Sequence, residues 1–260
     1  MNPPFVLSEL NNAVAILRLN RPDKRNALSR EMIEELSENF ERLKEDEQLR
    51  AVILTAAGNI AFCSGTDISE LAGLSEGEAI EVSVRGQKLC DQIEAFPVPV
   101  IAAVNGIAAG GGCELALACH LRIASSEATF NLPETKLGLV PAYGGTQRLA
   151  REAGPGRALE IMLTGKTITA AEALGIGLVN RVVDGADLLH EAKSIATEIS
   201  RFAPLAIRAC LKAVTLGLNL SFEDGLALET ELFASLFATE DVQEGTSAFL
   251  EKRSPVFKGK

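Results

Sequence analysis

Apolar residues follow two rhythms along this chain. Val14-Ala15-Ile16-Leu17-Arg18-Leu19 is a short β-favouring run that stops at the turn-forming cluster Asn20-Arg21-Pro22-Asp23. After Ser29, a residue type that caps helix N-termini, Met32, Ile33, Leu36, Phe40 and Leu43 recur at helical spacing with Glu, Lys and Arg on the other face, which predicts an amphipathic helix. Residues 51–55 read as a buried strand, about 78–95 as a longer helix and 98–104 as another strand. Gly110-Gly111-Gly112 opens an apolar helical run to Cys119, a strand follows at 121–124, and a last strand ends near Val183. Strands alternating with helices predict an α/β fold.

From about Ala186 onward only helical spacing remains, at 188–200, 204–216, 221–237 and 242–251. The third of these carries Leu226, Leu228, Leu232, Phe233, Leu236 and Phe237, more apolar surface than one packing face requires. Core packing and a subunit interface would both absorb it. No repeat and no Ser- or Gly-rich linker interrupts the chain, so residues 1–200 read as a core and 201–260 as its helical extension.

Composition then narrows the function. With 260 residues, 47% apolar and 23% charged, the chain can bury a full core. No apolar run reaches the roughly 18 to 20 residues of a membrane span, and Met1-Asn2-Pro3-Pro4-Phe5 resembles neither a secretory nor a transit segment; a cytoplasmic protein without a membrane partner is expected. A net charge of −10 repels polyphosphate strands, which disfavours nucleic acid as a partner. Cys63, Cys90, Cys113, Cys119 and Cys210 are odd in number and form no Cys-x-x-Cys pair, so they are expected to be reduced. His120 and His190, the only histidines, suit neither a zinc site nor a Ser-His-Asp arrangement. Acid-base chemistry therefore falls to carboxylates.

Three places look chemically loaded. Phe62-Cys63-Ser64-Gly65-Thr66-Asp67 is a glycine-bearing turn between an expected strand and an expected helix, a setting that exposes backbone N–H groups. Asn105 to Glu114 places successive glycines where a helix begins, and the first N–H groups of a helix lack internal partners. Neither stretch has dinucleotide-fingerprint or P-loop spacing. The third is Glu134, beside Pro133 and among Phe130, Leu132 and Leu137, which suggests partial desolvation. Glu114 falls in the first turn of its helix, where the peptide dipoles favour an ionised carboxylate. Two carboxylates in unlike surroundings make a candidate base and acid.

The stretches LNRPDKRNAL (19–28), FCSGTDI (62–68), PVIAAVNGIAAGGGCE (99–114), Pro133-Glu134, GGTQRL (144–149), LTGKTITAAEA (163–173) and AFLEKR (248–253) together resemble the crotonase, or enoyl-CoA hydratase/isomerase, family along nearly the whole chain. That resemblance implies a spiral of β-β-α turns with a C-terminal helical trimerisation region, assembled as a homotrimer or homohexamer. It implies an acyl-CoA thioester substrate, no cofactor and no metal. The thioester oxygen would rest on the backbone N–H groups of Thr66 and Gly111, with Glu114 and Glu134 as catalytic residues. Lys24, Arg25 and a neighbouring subunit's Lys252 would meet the phosphates and Phe233 the nucleotide end, while Ala27, Ser64, Asp67, Ile68, Ser69, Gly110, Ala142 and Tyr143 would complete the binding surface.

Within the family, hydratases carry both glutamates whereas isomerases generally keep only the one matching Glu134. The pair present here implies a hydratase, a lyase of fatty-acid metabolism adding water to a trans-2-enoyl-CoA. An isomerase or other CoA-thioester enzyme, a non-catalytic CoA-binding protein and an RNA-binding relative are the alternatives. The chain departs from the family's commoner choices at Ser64 and Thr66, where alanines are frequent, at His120, where Asp often follows the Cys, and at Ala142-Tyr143, where Gly-Ala is usual. Tyr143 is the only tyrosine. It reads equally as a packing aromatic or as a residue that narrows the acyl pocket.

Overall fold

The computed structural model describes residues 3–260, so the first two positions of the N-terminal stretch considered above lie outside the described residues. Among the described residues the strands are β1 (Val6–Asn11), β2 (Val14–Leu19), β3 (Ala51–Ala56), β4 (Ala61–Cys63), β5 (Val100–Val104), β6 (Ile107–Ala109), β7 (Leu121–Ser125), β8 (Thr129–Asn131), β9 (Ile168–Thr169) and β10 (Arg181–Val183). The helices are α1 (Arg30–Lys44), α2 (Glu76–Glu94), α3 (Gly111–Ala118), α4 (Gly145–Ala153), α5 (Pro155–Thr164), α6 (Ala170–Gly175), α7 (Leu188–Ile199), α8 (Pro204–Gly217), α9 (Phe222–Leu236) and α10 (Glu240–Glu251).

The strands form two sheets, one in the order β1-β2-β3-β5-β7-β10 and a smaller one in the order β4-β6-β8-β9. Successive strand pairs β3-β4, β5-β6 and β7-β8 each give one member to either sheet, stacked in parallel on the preceding pair. This is the spiral of β-β-α turns. The small sheet is absent from the apolar pattern because its strands are three residues or shorter, too brief for a period of two to register. The β1 strand is equally silent, because only Val6 of its six residues is buried. The apolar spacing does not announce α4, α5 or α6 either.

The large sheet is covered on both faces, which is why β3 is buried at every position. Leu17, Val52, Leu54 and Ala102 face the main core with α1, while Ile16, Ile53, Ile101 and Ile123 face Leu188, Ala192 and Ala196 of α7. The α1 helix follows the sequence expectation closely. Met32, Ile33, Leu36, Phe40 and Leu43 are buried, and Ser29 Oγ accepts the Met32 N–H at 3.3 Å.

Beyond residue 200 only Asp241 and Ala248 are buried, and no residue of α8 or α9 is. The core-packing destination for the apolar surplus of α9 is thereby overturned within the chain: Leu226, Phe233 and Phe237 are exposed. The Phe233 ring lies 5.2 Å from that of Phe237, one turn on in the same helical region.

Candidate active site

The two glycine turns meet. At Gly65 the backbone adopts φ +100°, and a methyl group there would come 2.8 Å from Ala109 O and 3.3 Å from Gly111 N. Only glycine allows both this dihedral and this approach. The turn is locked from the other side by the 24–28 loop: Leu28 N–H donates to Gly65 O at 2.8 Å, Ser64 N–H to Arg25 O at 3.0 Å and Asp67 N–H to Leu28 O at 3.0 Å. Asn26, buried, donates through Nδ2 to Ala57 O and Ala61 O and accepts the Arg21 N–H, which holds that loop in place. After the turn the chain makes a single 3-10 turn at Ile68–Glu70 rather than passing directly into the expected helix. Neither Thr66 N–H nor Gly111 N–H, the latter at the start of α3, donates to another group among the described residues.

Glu114 lies one turn into α3 and is almost wholly buried. Its Oε1 accepts the Tyr143 N–H at 2.8 Å and the Gly145 N–H at 2.6 Å. Gly145 must be small, since a methyl group there would come 2.8 Å from Glu114 Cγ. Burial works against the dipole argument for an ionised Glu114: desolvation raises its pKa, against the opposing pull of the Gly145, Tyr143 and Ala142 N–H groups and the Arg148 charge. The Glu114 carboxyl is clasped by N–H groups brought from beyond β8.

Glu134 opens a 3-10 turn after β8 and is half-buried, so Glu114 is the more deeply enclosed of the two, contrary to expectation. Of its expected apolar neighbours, Phe130 and Leu132 are buried but Leu137 is exposed. Burial pushes the Glu134 carboxyl up to about 7, its own N–H works against this, and the Glu114 charge adds to it. Oε2 is buried without a hydrogen-bond partner, and Oε1 would be 3.0 Å from a methyl group on Gly110. A carboxyl that keeps its proton up to about pH 7, with one oxygen unpartnered, is equipped to give up a proton there.

Tyr143 joins these groups. Its hydroxyl is hydrogen-bonded to Thr66 Oγ1 at 2.9 Å, and a methyl group on Gly111 would come 3.0 Å from its ring. Burial pushes the phenol up to about 12, so it stays neutral. Thus Thr66, Gly110, Gly111, Glu114, Glu134 and Tyr143 form one cluster, assembled from the ends of β4, β6 and β8 and the turn before α4.

The enoyl-CoA hydratase/isomerase family model matches residues 9–260. The chain belongs to that family. It is 42% identical to the short-chain-enoyl-CoA hydratase of Clostridium acetobutylicum over 95% of both chains, and 42% identical to the crotonyl-CoA hydratase of Syntrophomonas wolfei over 97% of both. The crystal structure of an enoyl-CoA hydratase from Bacillus anthracis superposes with a TM-score of 0.95 at 40% identity, covering 98% of this chain and all of that one.

For this family member the remaining expected site residues divide in two. Lys24, Arg25 and Ala27 lie on the loop that brackets Ser64 to Asp67. Asp67 accepts from Ser69 Oγ and from Arg21 Nη1, both at 2.7 Å, and these partners hold its carboxyl down at about 2. Asp67 and Ser69 thus brace the loop, while Ile68 projects outward. Phe233 and Lys252 sit on the helical tail, where Lys252 terminates α10 in a left-handed conformation. The apolar pattern missed the groups that carry the Glu114 clasp. Arg148 donates to Tyr143 O at 3.0 Å and pairs with Asp91 and Glu94, and Ser83 Oγ donates to Ala142 O at 2.9 Å. Arg148 lies in the GGTQRL stretch, which was its only signal.

Proposed function

We propose that the chain adds water across the double bond of a trans-2-enoyl-CoA to give a 3-hydroxyacyl-CoA. The observation that carries this reading is the unlike state of the two carboxyls in one cluster, Glu114 held by two N–H groups and Glu134 raised to about 7, so that it holds its proton over most of the range below neutrality, with one oxygen unpartnered. The Thr66 and Gly111 N–H groups receive the thioester oxygen as charge builds on it; loss of one such donor in other enzymes costs about 3 to 4 kcal/mol. Glu114 orients a water and takes its proton as the oxygen bonds to C3, and Glu134 delivers a proton to C2. Atoms balance: one water is consumed, and the proton gained by Glu114 is returned to Glu134 through solvent after release.

The reaction as read needs no cofactor, because coenzyme A arrives within the substrate. Lys24, Arg25 and, from a neighbouring subunit, Lys252 would meet its phosphates, with Phe233 at the nucleotide end. The exposed apolar face of α9 supports residues 201–260 as an assembly region that forms trimers or pairs of trimers around the core of residues 1–200. Burial raises the thiols of Cys63, Cys90, Cys113 and Cys119 well above the usual range, and their unpaired state suits the reducing cytoplasm.

The test is loss of the conjugated thioester absorbance of but-2-enoyl-CoA, followed with wild type, Glu114→Gln and Glu134→Gln. Both variants are expected to lose about 100-fold or more in turnover. Near-normal hydration by either removes that residue from the mechanism. Conversion of a 3-enoyl-CoA without uptake of solvent oxygen would replace hydration by isomerisation.

A further inference from the structure

No step of the hydration uses the Tyr143 side chain, although it lies among the groups that perform it. Its ring is held in a slot between two glycines. A methyl group on Gly86 of α2 would come 2.0 Å from Cδ1, and one on Gly111 would come 3.0 Å from Cε2. Opposite edges of the ring therefore touch α2 and the start of α3. The residue's two polar ends point to the two halves of the chemistry, with the backbone N–H on Glu114 and the hydroxyl on Thr66 Oγ1. Only 3% of the residue is exposed.

The acyl group must run along this same line. On the hydratase reading, on which this inference rests, the thioester oxygen is anchored at Thr66 and Gly111 while C3 faces the water held by Glu114. Carbons beyond C3 then leave the Glu114 side of the cluster, where the Tyr143 backbone is bonded to Glu114 and its ring is packed against Gly86 of α2. We propose that Tyr143 sets the acyl-chain length, admitting the four-carbon enoyl thioester and barring long linear chains. The ring has little freedom to yield. Swinging it out breaks the bond to Thr66 and empties a slot that Gly86 and Gly111 leave for nothing else.

The experiment compares kcat/KM for but-2-enoyl-CoA and dec-2-enoyl-CoA in wild type, Tyr143→Ala and Tyr143→Phe. Both values come from one preparation, so any loss of folded protein cancels in their ratio. Wild type is expected to favour the four-carbon substrate by at least about tenfold, Tyr143→Ala to shrink that preference by about tenfold or more, and Tyr143→Phe, which keeps the ring, to stay within about twofold of wild type. A wild type indifferent to chain length, an unchanged ratio in Tyr143→Ala, or a Tyr143→Phe as relaxed as Tyr143→Ala would each overturn the proposal while leaving hydration standing. Failure of wild type to hydrate either thioester would instead overturn the hydratase reading, and this inference with it.

Discussion

The hydroxyls of Thr66 and Tyr143 bond at 2.9 Å across 77 positions of sequence, at two positions where the family resemblance leads one to expect alanine. Two departures that look independent along the chain are therefore one contact. Removing the Thr66 hydroxyl leaves a buried phenol without its partner. Thr66→Ala is expected to lower stability by about 1 to 3 kcal/mol. A double-mutant cycle with Tyr143→Phe should return a coupling of about 0.5 to 1.5 kcal/mol by chemical denaturation; additive effects would show that the bond contributes nothing.

The Glu114 clasp depends on Gly145 having no side chain. A methyl group there would come 2.8 Å from Glu114 Cγ and 2.9 Å from Oε1, so the carboxylate must shift. Gly145→Ala is expected to reduce hydration by about 100-fold, chiefly in kcat. Full activity in a folded Gly145→Ala protein would show that the clasp does not position the water.

The raised pKa of Glu134 gives the reaction a pH limit. If the neutral carboxyl is the proton donor, kcat/KM falls as pH rises through about 7, where Glu134 ionises in the folded protein. The same shift bears on stability. Between the ordinary 4.5 and about 7 the unfolded chain loses this proton and the folded chain keeps it, so the Glu134 contribution to stability declines with rising pH across that window. Thermal melts of Glu134→Gln should lack this component, and its persistence in the variant would assign it to another group.

His120 acts in the opposite direction. Its Nδ1 accepts the Val100 N–H at 2.9 Å, which leaves Nε2 to donate to Glu94 O at 3.1 Å, so the ring is held neutral. Burial lowers its pKa below 6.5. As pH falls through 6.5 the unfolded chain gains a proton that the folded chain resists, and stability drops. Melting temperatures of wild type should fall more steeply below that pH than those of His120→Asn, which keeps an acceptor near Val100. Parallel curves would exclude the histidine.

The exposed aromatics of α9 predict assembly. Phe237 is 60% exposed in the single chain, and Phe237→Asp should lower the sedimentation mass if that face is covered by another subunit. A wild-type chain that sediments as a monomer would remove the assembly region from the account.

What could be read along the chain is what depends on local spacing. The apolar period of α1, the Ser29 cap, the all-helical tail and the glycine turns at Gly65 and Gly110 are short-range features, and the family's stretches placed Glu114 and Glu134 by position. Tertiary structure decided the rest. The small sheet arises from strands too short to show a period. The state of Glu114 is set by N–H groups of Tyr143 and Gly145, 29 and 31 residues away, and the place of Tyr143 by Gly86 and Thr66. Desolvation and hydrogen bonding depend on which distant segments close over a group, and no pattern of neighbouring residues encodes that closure.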